Sequence, residues 1–159
     1  MNIKEDGRIT LETLAVLPHE FSDGVFGSYV VNKGDDFYSY LTPKQLMEDI
    51  CNYFACSLKG RLDATRKSFN VQRKAPIVVE PSSNMYFMPT SSPHSPECAW
   101  IAHSYVLNLE TLAPKQTRVI FNCGKTLNLN VSPTSLTNQI RKTAQYRHLV
   151  TERISSYRV

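Results

Sequence analysis

The stretch Leu127-Asn128-Leu129-Asn130-Val131 leaves this chain little conformational freedom. Strict alternation of apolar and polar side chains has the two-residue period of a β-strand, with one face in a core and the other in water. Asn122-Cys123-Gly124-Lys125, just upstream, supplies turn residues, and the arm before it begins at Arg118. Residues 118–131 therefore read as an antiparallel hairpin with one buried face.

Other segments repeat the extended character. Leu14 to Leu17 is a short apolar run stopped by Pro18. Val25 to Val31 and Phe37 to Leu41 flank the turn Asn32-Lys33-Gly34-Asp35. Ile77 to Val79 ends at Pro81, Met85 to Met88 ends at Pro89, and Trp100 to Leu109 is a further strand. Residues 90–98 form a polar, proline-bearing loop.

Two helices interrupt the strands. Thr42-Pro43-Lys44-Gln45 combines a capping residue, a proline suited to the first turn and a glutamine at the capping-box position. Leu46, Ile50, Tyr53 and Phe54 follow at helical spacing, so a helix is predicted over about 42–58, with Gly60 as its stop. Ser132-Pro133 opens a second helix over about 133–155, with Leu136, Ile140, Ala144, Val150 and Ile154 as its buried stripe. The fold class is α+β: a mainly antiparallel sheet with two substantial helices. The 159 residues suit one compact domain. Residues 1–10 are polar and expected to be flexible, leaving 11–159 as that domain. No window is apolar for long enough to span a membrane. The N-terminus has no secretory apolar region, which points to a cytoplasmic protein. In that compartment Cys51, Cys56, Cys98 and Cys123 are expected as free thiols.

Charge is unevenly placed. Residues 1–58 carry four Lys/Arg against nine Asp/Glu, a net of −5. Residues 59–159 carry fourteen against five, a net of +9. The positive charge concentrates in residues 59–74 and in the last helix. Lys and Arg there suit neutralisation of phosphates with release of condensed counterions, and Arg suits a narrow minor groove. Arg66-Lys67, Arg73-Lys74 and Arg141-Lys142 are the clearest pairs, and the plainer reading of each is a solvated face.

Enzymatic motifs are missing. There is no Gly-x-Ser-x-Gly elbow, no His-Glu-x-x-His and no complete phosphate loop; Gly124-Lys125-Thr126 belongs to a hairpin turn. His94, Cys98 and His103 match no zinc-finger spacing, so Cys98 is expected to be buried and His103 to be satisfied by a hydrogen bond. No catalytic residue, metal or cofactor is expected. Tyr86, Phe87, Trp100 and Tyr105 alternate with aliphatic residues, which favours a core over a base-stacking platform.

Several strings, in order, resemble the ComK competence transcription factors. They are Cys51-Asn52-Tyr53-Phe54, Gly60-Arg61, Lys74 to Pro81, Phe87 to Ser92, Cys98 to His103, Asn122 to Thr126, Asn138-Gln139, Thr143-Ala144 and Arg147. Leu14 to Pro18 resembles the first strand of that family. The resemblance implies a transcription activator of DNA-uptake genes. It implies binding of paired AT-rich boxes, largely in the minor groove, as a dimer of dimers, and turnover through an adaptor to a Clp protease. Fuller members continue past the last helix with a charged tail that serves assembly, activation and turnover, whereas this sequence stops at Val159. A fainter similarity joins Ser104 to Leu109 and Gly124 to Ser132 to the end of LytTR-type DNA-binding domains. That pattern has arginines where this chain has His103, Pro133 and Thr134, so their base-reading role is not carried over.

The expected mechanism is duplex binding by the basic segments of a homo-oligomer. Lys59, Lys67, Lys74 and Lys142 are the candidate phosphate contacts, and Arg61, Arg66, Arg73, Arg141 and Arg147 the candidates for groove entry. The alternative is a non-enzymatic interaction module whose basic face binds an acidic partner protein.

Overall fold

The structure, a computed structural model, describes residues 1–158. Its strands are β1 (Thr13–Glu20), β2 (Phe26–Asn32), β3 (Phe37–Ser39), β4 (Ile77–Glu80), β5 (Met85–Pro89), β6 (Trp100–Ala102), β7 (Val106–Ala113), β8 (Gln116–Phe121) and β9 (Thr126–Leu129). Its helices are α1 (Pro43–Tyr53), α2 (Leu58–Ser68) and α3 (Pro133–Tyr157). A six-stranded sheet has the order β3-β2-β1-β6-β5-β4, and a three-stranded sheet the order β7-β8-β9. Pairing between these strands is antiparallel throughout. The protein is thus α+β and dominated by sheet.

The large sheet is covered on both faces. Val16, Val30, Phe87 and Trp100 pack with Leu46 and Ile50 of α1 and Leu58 and Leu62 of α2. Their neighbours Ala15, Val31, Met88 and Ile101 point the other way. They pack with Val119, Phe121 and Leu129 of the small sheet and Leu136 of α3. Farther along that second face, Val78 and Tyr86 meet Tyr146 and Val150 of α3. Double coverage explains why β1 and β4 to β6 are written as continuous apolar runs while β9, in the small sheet with a face in water, alternates. Each aliphatic side chain wholly buried in these layers contributes about 2 kcal/mol.

Several expectations change. The helix expected over 42–58 starts as predicted, with Thr42 and Gln45 closing a capping box. It ends at Tyr53, Ala55 takes a left-handed φ of 61°, and Ser57 caps a new helix. Gly60, read as a stop, is in the first turn of α2: its amide donates to Ser57 Oγ at 2.9 Å, and a Cβ there would come within 2.8 Å of that oxygen. No Gly or Pro marks the break at 54–56, and packing of Phe54, Cys56 and Leu58 against the first core holds it. The described residues therefore contain three substantial helices rather than two, and the first basic segment begins on a helix.

The extended stretch from Trp100 is also broken. β6 ends at Ala102, a short 3-10 turn covers His103–Tyr105, and the chain passes into the small sheet as β7. Pro18 does not end β1, which continues to Glu20. β6 pairs with β1 only at Ala15 and Val16, so beyond Val16 one side of β1 has no neighbour and a missing N–H there breaks no ladder.

Residues 1–10, expected to be loose, are tied to the sheet. Lys4 N donates to the Tyr38 carbonyl, Tyr38 N donates to the Asn2 carbonyl, and Ile9 is 1% exposed. On α3 the buried line is Leu136, Gln139, Thr143, Tyr146 and Val150, and Ala144 is exposed. The stripe is turned because two polar side chains find buried partners. Gln139 donates to the Pro89 carbonyl (2.9 Å) and Thr143 to the Gln139 carbonyl (2.7 Å). No described helix is long and apolar enough to cross a membrane.

Candidate nucleic-acid interface

α2 turns its apolar side to the large sheet through Leu58, Leu62 and Thr65. The Thr65 hydroxyl donates to the Pro76 carbonyl at 2.7 Å, tying the helix to the start of β4. Arg66 and Lys67 fall in the last turn, where cations complement the helix dipole. The chain then reverses through residues 69–74, with Asn70 and Lys74 in the left-handed region at φ 56° and 48°.

This reversal lies against α3. The Gln139 amide donates to the Lys74 carbonyl (2.7 Å), Lys142 Nζ to the Arg73 carbonyl (2.6 Å) and Arg153 Nη2 to the Ser68 carbonyl (2.6 Å). The Arg153 guanidinium also lies 3.9 Å from the Phe69 ring centre, and Lys74 Nζ donates to Ser135 Oγ at 2.9 Å. Two basic segments separated by about sixty positions in sequence thus share one seam.

The candidate residues divide by their contacts. Lys67, Arg73 and Arg141 are exposed, Arg66 is half-buried, and none of the four forms an ion pair among the described residues. Lys74 and Lys142 sit on the seam itself, engaged by a hydroxyl and a carbonyl. Burial, and then the nearby Lys74 charge, push the Lys142 pKa below its ordinary value, and neither ammonium group has a carboxylate bonded to it.

Others lie elsewhere. Lys59 is bound to Asp63 at 3.1 Å, and its hydrogen bond holds that carboxyl below the usual range. Arg61 is half-buried, with Nε enclosed and without a partner. Arg147 is five residues from Lys142, about 140° around the helix. It reaches the opposite flank, over the Tyr86 ring at 4.9 Å and against His103 Nδ1 at 2.9 Å. His103 Nε2 meets the Ile140 carbonyl at 3.2 Å. Because a guanidinium donates and a carbonyl accepts, the imidazole is neutral with its proton on Nε2. Burial first, then the Arg147 charge, lower its pKa to about 4. Cys98 is buried, as expected.

Arg153 joins the site although nothing in the sequence singles it out. It belongs to the basic run of the last helix, but its partners, Ser68 and Phe69, are 85 and 84 positions away and leave no local signal. Tyr86, Phe87 and Trp100 are almost wholly buried, consistent with core rather than stacking roles. Among the described residues no three His, Cys, Asp or Glu side chains gather closely enough to hold a metal ion.

The band is therefore cationic, partly dehydrated and free of bonded carboxylates, an arrangement that attracts polyanions. A family model described as ComK protein matches residues 4–155. The chain is 36% identical over 142 residues to a competence transcription factor of Bacillus subtilis (strain 168), covering 89% of this chain and 73% of that protein. No solved structure matches. A family match spanning nearly every described element, with a relative this similar, places the chain in the ComK family.

Proposed function

We propose that this protein is a competence transcription regulator that activates DNA-uptake genes by binding duplex DNA at paired AT-rich boxes, largely through the minor groove. It is not an enzyme. The observation that carries the reading is the seam between residues 66–74 and α3, where Arg66, Lys67 and Arg73 have no carboxylate partner; Arg141, exposed on α3 about 100° around the helix from Lys142, has none either. The two cations of α3 on the seam that bond the backbone of residues 68–73, Lys142 and Arg153, are eleven residues apart on one helix, roughly 16 Å. That is about half a turn of B-DNA. A rigid cationic edge of this length can follow one groove wall while arginines enter where A·T sequence narrows the groove. Family membership extends the proposal to assembly as a dimer or dimer of dimers, to turnover through a Clp-protease adaptor, and to action in the cytoplasm.

Fluorescence anisotropy with an AT-box duplex and a random duplex tests this. Four phosphates neutralised per protomer give log K falling with log[salt] at a slope of about −4 per protomer bound, with preference for the AT duplex at moderate salt. A flat slope without preference would remove the DNA reading and leave the acidic-partner alternative.

A further inference from the structure

The seam holds cations of two kinds. Lys67 and Arg73 extend into solvent, while Lys142 and Arg153 turn back onto the polypeptide, each 2.6 Å from a carbonyl oxygen. Gln139 does the same with an uncharged amide, bridging the Lys74 and Pro89 carbonyls. Positions 139, 142, 146 and 153 fall within about 60° of one another around α3. Tyr146 completes the row, with its ring 5.1 Å from that of Phe69 and its hydroxyl receiving the Val78 amide proton. One flank of one helix thus grips the backbone of residues 68–78 at four levels.

The gripped segment needs holding. Lys74 takes a left-handed backbone conformation that side chains other than Gly and Asn rarely adopt. Residues 69–74 belong to no helix or strand. Their links to α2 are Val71 N to the Thr65 carbonyl (3.2 Å) and the Gln72 amide to the Arg66 carbonyl (2.9 Å). A carbonyl is a dipole and does not cancel an ammonium or a guanidinium, so Lys142 and Arg153 keep their charge while serving as ties.

We infer that Gln139, Lys142 and Arg153 are positioning residues, a clamp that fixes the backbone of residues 68–74 so that Lys67 and Arg73 are presented as a preformed anion-binding edge. The inference rests on the duplex-binding reading and reassigns Lys142 from phosphate contact to support. Preorganisation raises affinity because a loop that occupies its competent conformation only part of the time binds more weakly by that fraction.

Lys142→Met removes the donor and keeps the aliphatic stem; Lys142→Arg keeps a donor. Two measurements are made on each full-length variant: the rate of native-state trypsin cleavage after Arg73, and the salt slope of AT-duplex binding. For Lys142→Met, cleavage is expected to rise about tenfold through local opening, with affinity several-fold weaker and the slope unchanged. Lys142→Arg restores both readouts. Arg73→Ala, a contact residue, lowers the slope by about 1 without faster cleavage after Lys67. A slope lowered by about 1 in Lys142→Met with unchanged cleavage overturns the clamp and returns Lys142 to the phosphate. If the unsubstituted protein binds no duplex, the DNA reading falls, while accelerated cleavage in Lys142→Met still supports the clamp.

Discussion

In the β3-β2-β1 half of the large sheet, cations act as staples. Arg8 is bound to Asp49 at 3.2 Å and lies over the Tyr53 ring, Lys4 lies over Phe37, and Lys33 sits 4.2 Å from the Tyr105 ring centre. Lys125, arriving from the turn of the small sheet, matches its three N–H groups to the Asn32 carbonyl (2.6 Å), the Gly34 carbonyl (2.7 Å) and Asp36 (3.0 Å). In the β6-β5-β4 half, with α2 and α3, Arg66, Lys67, Arg73 and Arg141 have no such partners. The division follows composition: residues 1–58 supply β1, β2, β3 and α1 with a net of −5, and the rest of the chain has a net of +9. Where a carboxylate lies close, as for Arg8 and Lys125, a cation is neutralised and stabilises the fold; an exposed cation without one, such as Lys67 or Arg73, remains available to an outside anion. Residue type is therefore a poor guide to role, and the local balance of charge a better one.

The largest test of this contrast replaces Arg66, Lys67 and Arg73 together by Ala. Duplex affinity should fall roughly 100-fold at moderate salt, with the salt slope reduced by about 3. The melting temperature should move by only a few degrees or so, as for surface substitutions. Binding measured by anisotropy that survives this change would end the distinction between the halves.

Lys125→Met is the converse. It strands three acceptors at the junction of the two sheets and should cost about 2 kcal/mol, lowering the melting temperature by about 4–8 °C in calorimetry. Duplex affinity at 25 °C should be unchanged; weaker binding with no loss of stability would exchange the two roles.

Acid should separate the halves more gently. His103, lowered to about 4 chiefly by burial and then by Arg147, contributes stability that is fully present above its ordinary pKa of 6.5 and is lost as pH falls toward 4. Burial pushes the Asp36 carboxyl up, but the Asn32 amide, the Tyr29 hydroxyl and Lys125 outweigh it and hold it below its ordinary 3.8. Its contribution therefore persists until pH drops below that value. Between pH 6.5 and 4 the β6-β5-β4 half should loosen first, and His103→Gln should flatten the dependence of melting temperature on pH in that window. An unchanged dependence would show that His103 is not the titrating group.

Local chemistry determined much of this molecule. Alternation in residues 127–131 specified a half-wet strand, Thr42 and Ser132 specified where two helices begin, and the runs at Ile77–Val79 and Met85–Met88 specified buried strands, because caps, turns and hydrophobic period act over a few residues. Concentration of cations in two segments was equally legible, as were the strings that mark the family. Tertiary structure decided the rest. It ended α1 at Tyr53 with a left-handed Ala55, sent residues 100–109 across two sheets, and turned the buried stripe of α3 onto Gln139 and Tyr146. It also sorted the candidate cations into an ion-paired Lys59, an enclosed Arg61, an Arg147 held by His103 on the far flank, and a seam where Lys142 and Arg153 meet residues 68–74. Apart from the Lys59–Asp63 pair, which lies within one turn of α2, none of these is local: each depends on a partner brought near only when the sheet is complete, and the free energy of that contact outweighs what neighbouring residues prefer.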